Sequence, residues 1–281
     1  MKHNDMKRKH LLFLLPFCAF TATANAQDKP SMQSKDIKTK GALEIGISDE
    51  ALIEDLMPLV PGLGSNSREM LTEQSVKSYM MPPRDAGDQG VLLSYALATL
   101  LEFYVNYDEN YKVNLSPDYL TLNLMQEEQF DLKSGFKFLI DEGTVSAAIM
   151  PYGASTIPRA VFATEKYTIS NYLHVVRPGM KARQRVFETK KALMRGNPVL
   201  VQINVPESFS TMNDTRFWIA GNAKGTQLQP FIVVGYDQDL EAFEITGFWG
   251  NEWAHNGYLW MDYDDFGKYV ENGFVMMPTK K

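Results

Sequence analysis

Cysteine is nearly missing from this chain of 281 residues: Cys18 is the single one. Histidine is scarce too, with four residues, His3, His10, His174 and His255. A disulfide framework and a cysteine-based metal site are therefore excluded. Basic charge is also in deficit, 28 Lys and Arg against 34 Asp and Glu, a formal charge of −6. So acidic a chain has little to offer nucleic acid or an anionic membrane. There is no internal repeat. The sole long apolar run, LLFLLPFCAF, is too short to span a bilayer.

That run defines the N-terminus. Lys2, Lys7, Arg8 and Lys9 precede it, and Ala24-Asn25-Ala26 follows with small residues where a signal peptidase reads. We expect cleavage after Ala26 and export, to a periplasm or to the medium. Cys18, His3 and His10 leave with the peptide. The lost segment carries four basic residues and Asp5, so the mature chain moves from −6 to −9. It is then free of cysteine and of any integral membrane segment.

What remains is ample for a core, at 44% hydrophobic residues. Residues 27–43 are a polar lead-in. Residues 48–60 suggest a short helix, with Ser48 as N-cap and Pro58 and Pro61 as stops. Leu92 to Tyr107 is the strongest helical run, apolar enough to be central and buried. Ser116-Pro117 starts another helix. Ser134 to Glu142, closed by Gly143, and Arg183 to Arg195, closed by Gly196, are two more. The texture then turns to strands: 198–205, 230–239, 242–249 and 257–265. Helices first and antiparallel strands second predict an α+β protein, a helical lobe packed on a sheet lobe with a cleft between.

Several phrases carry a more specific likeness. RDAGDQGVLLSYALATLLE, Arg84 to Glu102, is a polar turn running into an apolar helix. LSPDYL, a segment ending in Pro151-Tyr152, KKALMRGNPVLVQINV, FIVVGYD and FWGNEWAHNGYLWMDYDDF follow in order. Together they resemble the papain-like cysteine peptidases from about Pro82 to Met277. The resemblance implies a two-lobed papain-like domain over 76–281, helical to about 180 and β-rich from about 181. It leaves 1–26 as signal peptide and 27–75 as a lead-in with one short helix.

It also implies where chemistry should stand. In this family a Cys thiolate at the helix N-terminus attacks a peptide carbonyl, a His moves the proton, an Asn orients the His, and a Gln helps hold the oxyanion. Ungapped alignment puts Leu92 at the nucleophile position and Ala86 at the oxyanion Gln position. Gln89 replaces a disulfide Cys, and Leu93 the Trp after the nucleophile. Gln229 falls at the His position and Gly247 at the Asn position. All four catalytic roles are vacant, since Leu has no lone pair and Gln exchanges no proton near neutral pH. Trp249, Gly250, Trp253, Gly257, Tyr258, Gly235, Tyr236 and Gly90 keep the scaffold pattern.

Other candidates read as structural. A shifted alignment brings Ser94 near the nucleophile position but supplies no His. His174 lies in an apolar stretch and His255 in a turn, without a third ligand to form a zinc site. Asp237, Asp239, Asp262, Asp264 and Asp265 lack EF-hand spacing and read as solvated strand ends. Met80, Met81, Met276 and Met277 read as core filler.

The expectation is an exported, catalytically degenerate pseudopeptidase without metal or cofactor. It would hold a peptide or protein partner in a cleft lined by Gln89, Gly90, Leu92, Leu93, Gln229 and Trp249. Two alternatives stand beside it: a diverged hydrolase using Ser94, and a structural adaptor in an envelope complex.

Overall fold

Alternation along the strands decides the layers. In β3 (Val199–Val205), Val199, Val201, Ile203 and Val205 enter one apolar core and Leu200 another. In β5 (Gln227–Asp237), Phe231 and Val233 face the first core, Ile232 and Val234 the second. Successive side chains on a strand point to opposite faces. A strand apolar on both faces needs a cover on each.

The computed structural model describes residues 44–64, 72–87, 91–125, 130–221 and 223–279. They belong to one compact unit, 43–281. The expected signal peptide, the lead-in to residue 43, and Gln89 and Gly90 lie outside the described residues. Six further strands complete the sheet: β1 (Glu73–Ser75), β2 (Ile169–Val176), β4 (Phe217–Trp218), β6 (Ala242–Thr246), β7 (Tyr258–Asp262) and β8 (Val270–Pro278). The order is β2-β8-β3-β5-β6-β7-β4, with β1 pairing β5. Pairings are antiparallel except β4 with β7.

One face carries α2 (Leu92–Glu109), α3 (Pro117–Leu124) and α4 (Leu132–Asp141). The other carries α1 (Glu50–Leu56), α5 (Ala182–Met194) and α6 (Tyr263–Tyr269). Every residue of α2 from Ser94 to Tyr104 is buried, which explains its nearly uninterrupted apolar sequence. This is the expected α+β class, helices packed on a largely antiparallel sheet.

Local signals were read with small errors. Ser116 caps α3, its Oγ accepting from the Tyr119 amide at 3.3 Å, and Pro117 follows at the first helical position. The cap of α1 is Asp49 rather than Ser48: Asp49 Oδ1 accepts from the Leu52 amide at 2.9 Å, while the Ser48 carbonyl is taken by Arg177. The helix expected from Ser134 begins at Leu132, because Asp131 and Ser134 form a reciprocal capping box. Gly143 ends that segment at φ +76, where a Cβ would stand 2.4 Å from the Tyr167 carbonyl oxygen.

Five elements were not foreseen: β1, β2, β4, α6 and β8. The stretch 257–265 leaves the sheet at Asp262, whose carboxylate accepts from the Asp265 amide at 2.6 Å and starts α6. β2 lies in the supposedly helical half, yet pairs with β8 about 100 residues away, Tyr172 opposite Met276.

Residues 44–64 form a strap along the β2 edge and α5. The Ile47 amide donates to the Tyr172 carbonyl at 3.0 Å, and the His174 amide to the Ile47 carbonyl at 2.8 Å. Glu50 pairs with Arg177 at 2.8 Å, and Glu54 with Lys191 and Arg195, each at 2.7 Å. Asn197 Nδ2 donates to the Pro58 carbonyl at 2.6 Å.

Candidate functional site

The turn before α2 is stitched to the loop after β6. The Ala86 amide donates to the Phe248 carbonyl at 2.9 Å, and the Gly250 amide to the Arg84 carbonyl at 2.9 Å. Asp85 Oδ1 accepts from the Gly87 amide at 2.8 Å, which tightens the turn. Ala86 therefore stands against the segment that holds Gly247 and Trp249. Leu92 is the first residue of α2, after Val91, which caps without a side-chain hydrogen bond. Leu92 and Leu93 are half-buried against the α2 side of the sheet.

Aromatic rings build the other wall. Trp249 lies 5.1 Å from Trp253 and 5.7 Å from Phe231 between ring centres. Trp253 is fixed by its Nε1–H, which donates to the Phe209 carbonyl at 2.8 Å. Gln229 precedes Phe231 by two residues on β5 and so shares its face. Gln229 Nε2 donates to Gln227 Oε1 at 3.1 Å. The register pairs Ile232 with Thr246, so Gln229 on β5 and Gly247, just past the end of β6, lie toward the same end of neighbouring strands. Ala86, Gly247 and Trp249 are thus brought together, with the strand carrying Gln229 alongside.

A buried polar group supports the turn, and sequence reading passed over it. The Arg84 guanidinium pairs with Glu102, and their side chains are 9% and 1% exposed. Arg84 also reaches the Leu115 carbonyl at 3.4 Å and Asn114 Oδ1 at 3.3 Å. Glu102 Oε2 accepts from the Leu115 amide at 2.7 Å. Burial pushes the Glu102 carboxyl above its ordinary range, while Arg84 pulls it back. The Arg84 guanidinium lies 5.1 Å from the Tyr152 ring centre. Burial also pushes the Tyr95 and Tyr152 hydroxyls up to about 12. The signal in the sequence was a charged residue, Glu102, inside the apolar run of α2.

The remaining candidates fall elsewhere. Ser94 is 0% exposed, and its Oγ has no hydrogen-bond partner among the described residues. It therefore has neither a base nor access to a substrate. His174 stacks on Phe274 at 4.4 Å and bonds Asn272 Oδ1 at 3.0 Å. Burial holds its pKa below the usual histidine value. His255 is exposed in the turn before β7, pairing its backbone with Tyr258. Asp262 caps α6, Asp265 Oδ2 accepts from the Ala220 amide at 2.8 Å, and Asp237 Oδ1 accepts from the Asp239 and Leu240 amides. These three acids act as caps and turn-formers. Met80 and Met276 are buried in the core on the α2 side.

A sequence profile described as papain family cysteine protease matches residues 131–277, more than half of the chain. The chain belongs to the papain family. The profile's match begins at the cap of α4, so the turn at Arg84 and the start of α2 lie before it. Solved papain-family structures reach further. Digestive procathepsin L 3 from Tenebrio molitor larval midgut superposes with a TM-score of 0.62 at 17% identity, covering 81% of this chain and 78% of its own. Xylellain, a cysteine protease from Xylella fastidiosa, gives 0.60 at 19% identity, covering 84% and 96%. These likenesses establish the papain-like fold. Gamete and mating-type specific protein A of Dictyostelium discoideum is 27% identical over 191 residues, 65% of this chain and 40% of that protein. An uncharacterized peptidase C1-like protein of Acanthamoeba polyphaga mimivirus is 30% identical over 90 residues, 31% of this chain and 28% of its own. The chain thus spans well under half the length of the curated relatives it matches.

Proposed function

We propose that this papain-family protein is exported and binds a peptide or protein partner without cleaving it. The observation that carries the reading is Leu92, a half-buried aliphatic side chain at the first position of the central helix. In the alignment above, that is the nucleophile's place. Gln229 and Gly247 stand where the base and its orienter would be, and Ala86 where the oxyanion donor would be. Members of such a constellation act as a unit, so loss of the nucleophile removes most of the rate enhancement.

The scaffold for binding supports the same reading. Trp249 is partly exposed beside the Ala86 turn, and family substrates lie extended and bond to backbone, a mode independent of catalytic side chains. The strap at 44–64 is held by Tyr172, Arg177, Lys191, Arg195 and Asn197, none of them a residue of the candidate site. We assign Leu92, Leu93, Gln229 and Trp249 to the binding surface, together with Gln89 and Gly90. Export rests on the N-terminal segment and its cleavage after Ala26.

The test is hydrolysis of a mixed fluorogenic peptide library by the purified mature protein, beside Ser94→Ala. We expect no turnover above background in either, and capture of extended peptides that Leu92→Arg weakens. Turnover abolished by Ser94→Ala would overturn the reading in favour of a serine hydrolase. Secreted protein whose N-terminal residue is not Gln27 would remove the assigned cleavage site.

A further inference from the structure

A row of polar side chains interrupts the apolar face of the sheet on the α2 side. Leu200 on β3 lies opposite Ile232 on β5 and Phe274 on β8, and all three enter the core on that side. Two residues further along β3, Gln202 lies opposite Pro230 and Asn272. Alternation puts Gln202 and then Asn204 on the same face as Leu200. Both are half-buried. They stand at the end of the sheet that holds the candidate site, since Ile203 between them pairs with Gln229.

These amides are held one way round. Asn272 Oδ1 accepts from His174 Nε2 at 3.0 Å. A carbonyl oxygen has no proton to give, so the imidazole carries its proton on Nε2. Asn272 Nδ2 donates in turn to Gln202 Oε1 at 3.0 Å. Turning either amide over would set donor against donor. The chain therefore directs the Gln202 amide N–H groups away from Asn272, with no partner among the described residues.

Asn204 has the opposite polarity. Its Nδ2 donates to Glu271 Oε1 at 3.5 Å, which leaves Oδ1 as the outward end. Gly225 passes beside it: a Cβ there would stand 2.6 Å from Oδ1, so a larger residue would cover the oxygen. A donor and an acceptor two residues apart on one strand face match one chemistry. A primary carboxamide offers its carbonyl oxygen to Gln202 and an N–H to Asn204. A carboxylate would set an oxygen against Asn204 Oδ1, beside Glu271. An ammonium would have nothing to accept the Gln202 proton, and a hydrocarbon would leave both amides unpaired.

We propose that Gln202 and Asn204 select a carboxamide side chain, Asn or Gln, on the bound peptide. Asn272 and His174 are positioning residues that hold the Gln202 amide with its donors outward. That selection presupposes the peptide-binding reading above, and adds what the partner must carry.

The test uses the mature protein and a pool of random acetylated octapeptide amides, with captured peptides identified by mass spectrometry. Asn and Gln should be enriched at one position over Asp, Glu and Leu by roughly fivefold, the effect of one net hydrogen bond. Gln202→Leu should lose that preference. Asn272→Asp should lose it too while the protein stays folded, because a carboxylate accepts from both His174 and Gln202 and turns the Gln202 oxygen outward. A merely structural role for Asn272 would leave the preference unmoved. In the free protein, nitrogen-15 spectra should show the His174 proton on Nε2 at pH 7.5. Peptides captured without a carboxamide preference, or with one that survives Gln202→Leu, would overturn this inference and spare the binding reading. A proton on Nδ1 would overturn the assigned chain. Capture of no peptide at all would overturn both readings together.

Discussion

Gly247 and Trp249 compete for one space. A Cβ built on Gly247 would meet Cε3 and Cζ3 of Trp249 at 2.7 Å, and Cζ3 of Trp253 at 3.3 Å. The indole of Trp249 cannot swing away freely, because Trp253 and Phe231 pack against it. Any side chain at 247 must displace a ring that closes one wall of the candidate site.

Gly247→Asn should therefore cost about 1–3 kcal/mol, the usual size of an overpacking penalty. It should also change tryptophan emission as Trp249 shifts. Urea denaturation and fluorescence read both. A variant with wild-type stability and emission would mean that the indole yields easily and that the glycine is incidental.

Arg84→Met should be among the most damaging single changes. It leaves the Glu102 carboxylate at 1% exposure without its cation. Breaking a buried pair from one side costs about 3–5 kcal/mol. Glu102→Leu on top should recover most of the loss, since the double variant buries no lone charge. A folded pKa above the unfolded one means that the native state holds the extra proton. Stability then falls as pH rises through that interval. Losing Arg84 raises the Glu102 pKa further, so the deficit of Arg84→Met should shrink on acidification toward the ordinary glutamate value.

His174 gives the opposite slope. Its pKa is lowered by burial, and Arg177 and Lys133 add to the shift while Asn272 opposes it. The unfolded chain takes up the proton first, near pH 6.5. Stability contributed by the neutral imidazole is therefore full above that pH and lost as pH falls below it. His174→Gln should flatten the change in urea midpoint between pH 7.5 and 5.5. Parallel pH profiles for wild type and variant would rule His174 out as the source.

The strap should respond locally rather than globally. The side chains of Arg195 and Glu54 are 30% and 48% exposed, so their ion pair adds at most about 1 kcal/mol. Arg195 also donates to the Glu54 and Met57 carbonyls, each at 3.2 Å. Arg195→Ala should shift the global urea midpoint little and speed proteolytic cutting within 44–64. An unchanged cutting rate would show that Ile53 and its apolar neighbours hold the strap unaided.

Much of the framework was legible because its signals are local. A nearly unbroken apolar run announced α2, Ser116-Pro117 announced α3, and glycines marked the ends of α4 and α5. The β-rich apolar runs at 198–205 and 230–239 were equally plain as strands. Asp262 shows where such reading fails. Its strand pattern continues into YDD, but a carboxylate that can cap a helix competes with the next ladder bond, and the cap prevails. The candidate site was legible as positions: the turn at 84–87, the start of α2 and the Trp249 loop. Its support by Arg84 and Glu102 was not, because a charge in an apolar run reveals no partner.

By itself, the sequence determined the α+β class, the central buried helix, the Ser116 cap, and the residue types at 86, 92, 229 and 247. Side-chain chemistry and periods of 2 and 3.6 act within a few residues and need no fold to be read. Only the tertiary structure decided that β2 pairs with β8, that the strap runs along the β2 edge and α5, and that Gly247 yields its space to Trp249. Those outcomes depend on contacts between segments from two to more than a hundred residues apart. Burial on both faces of one sheet, rather than any local preference, selects among the available pairings.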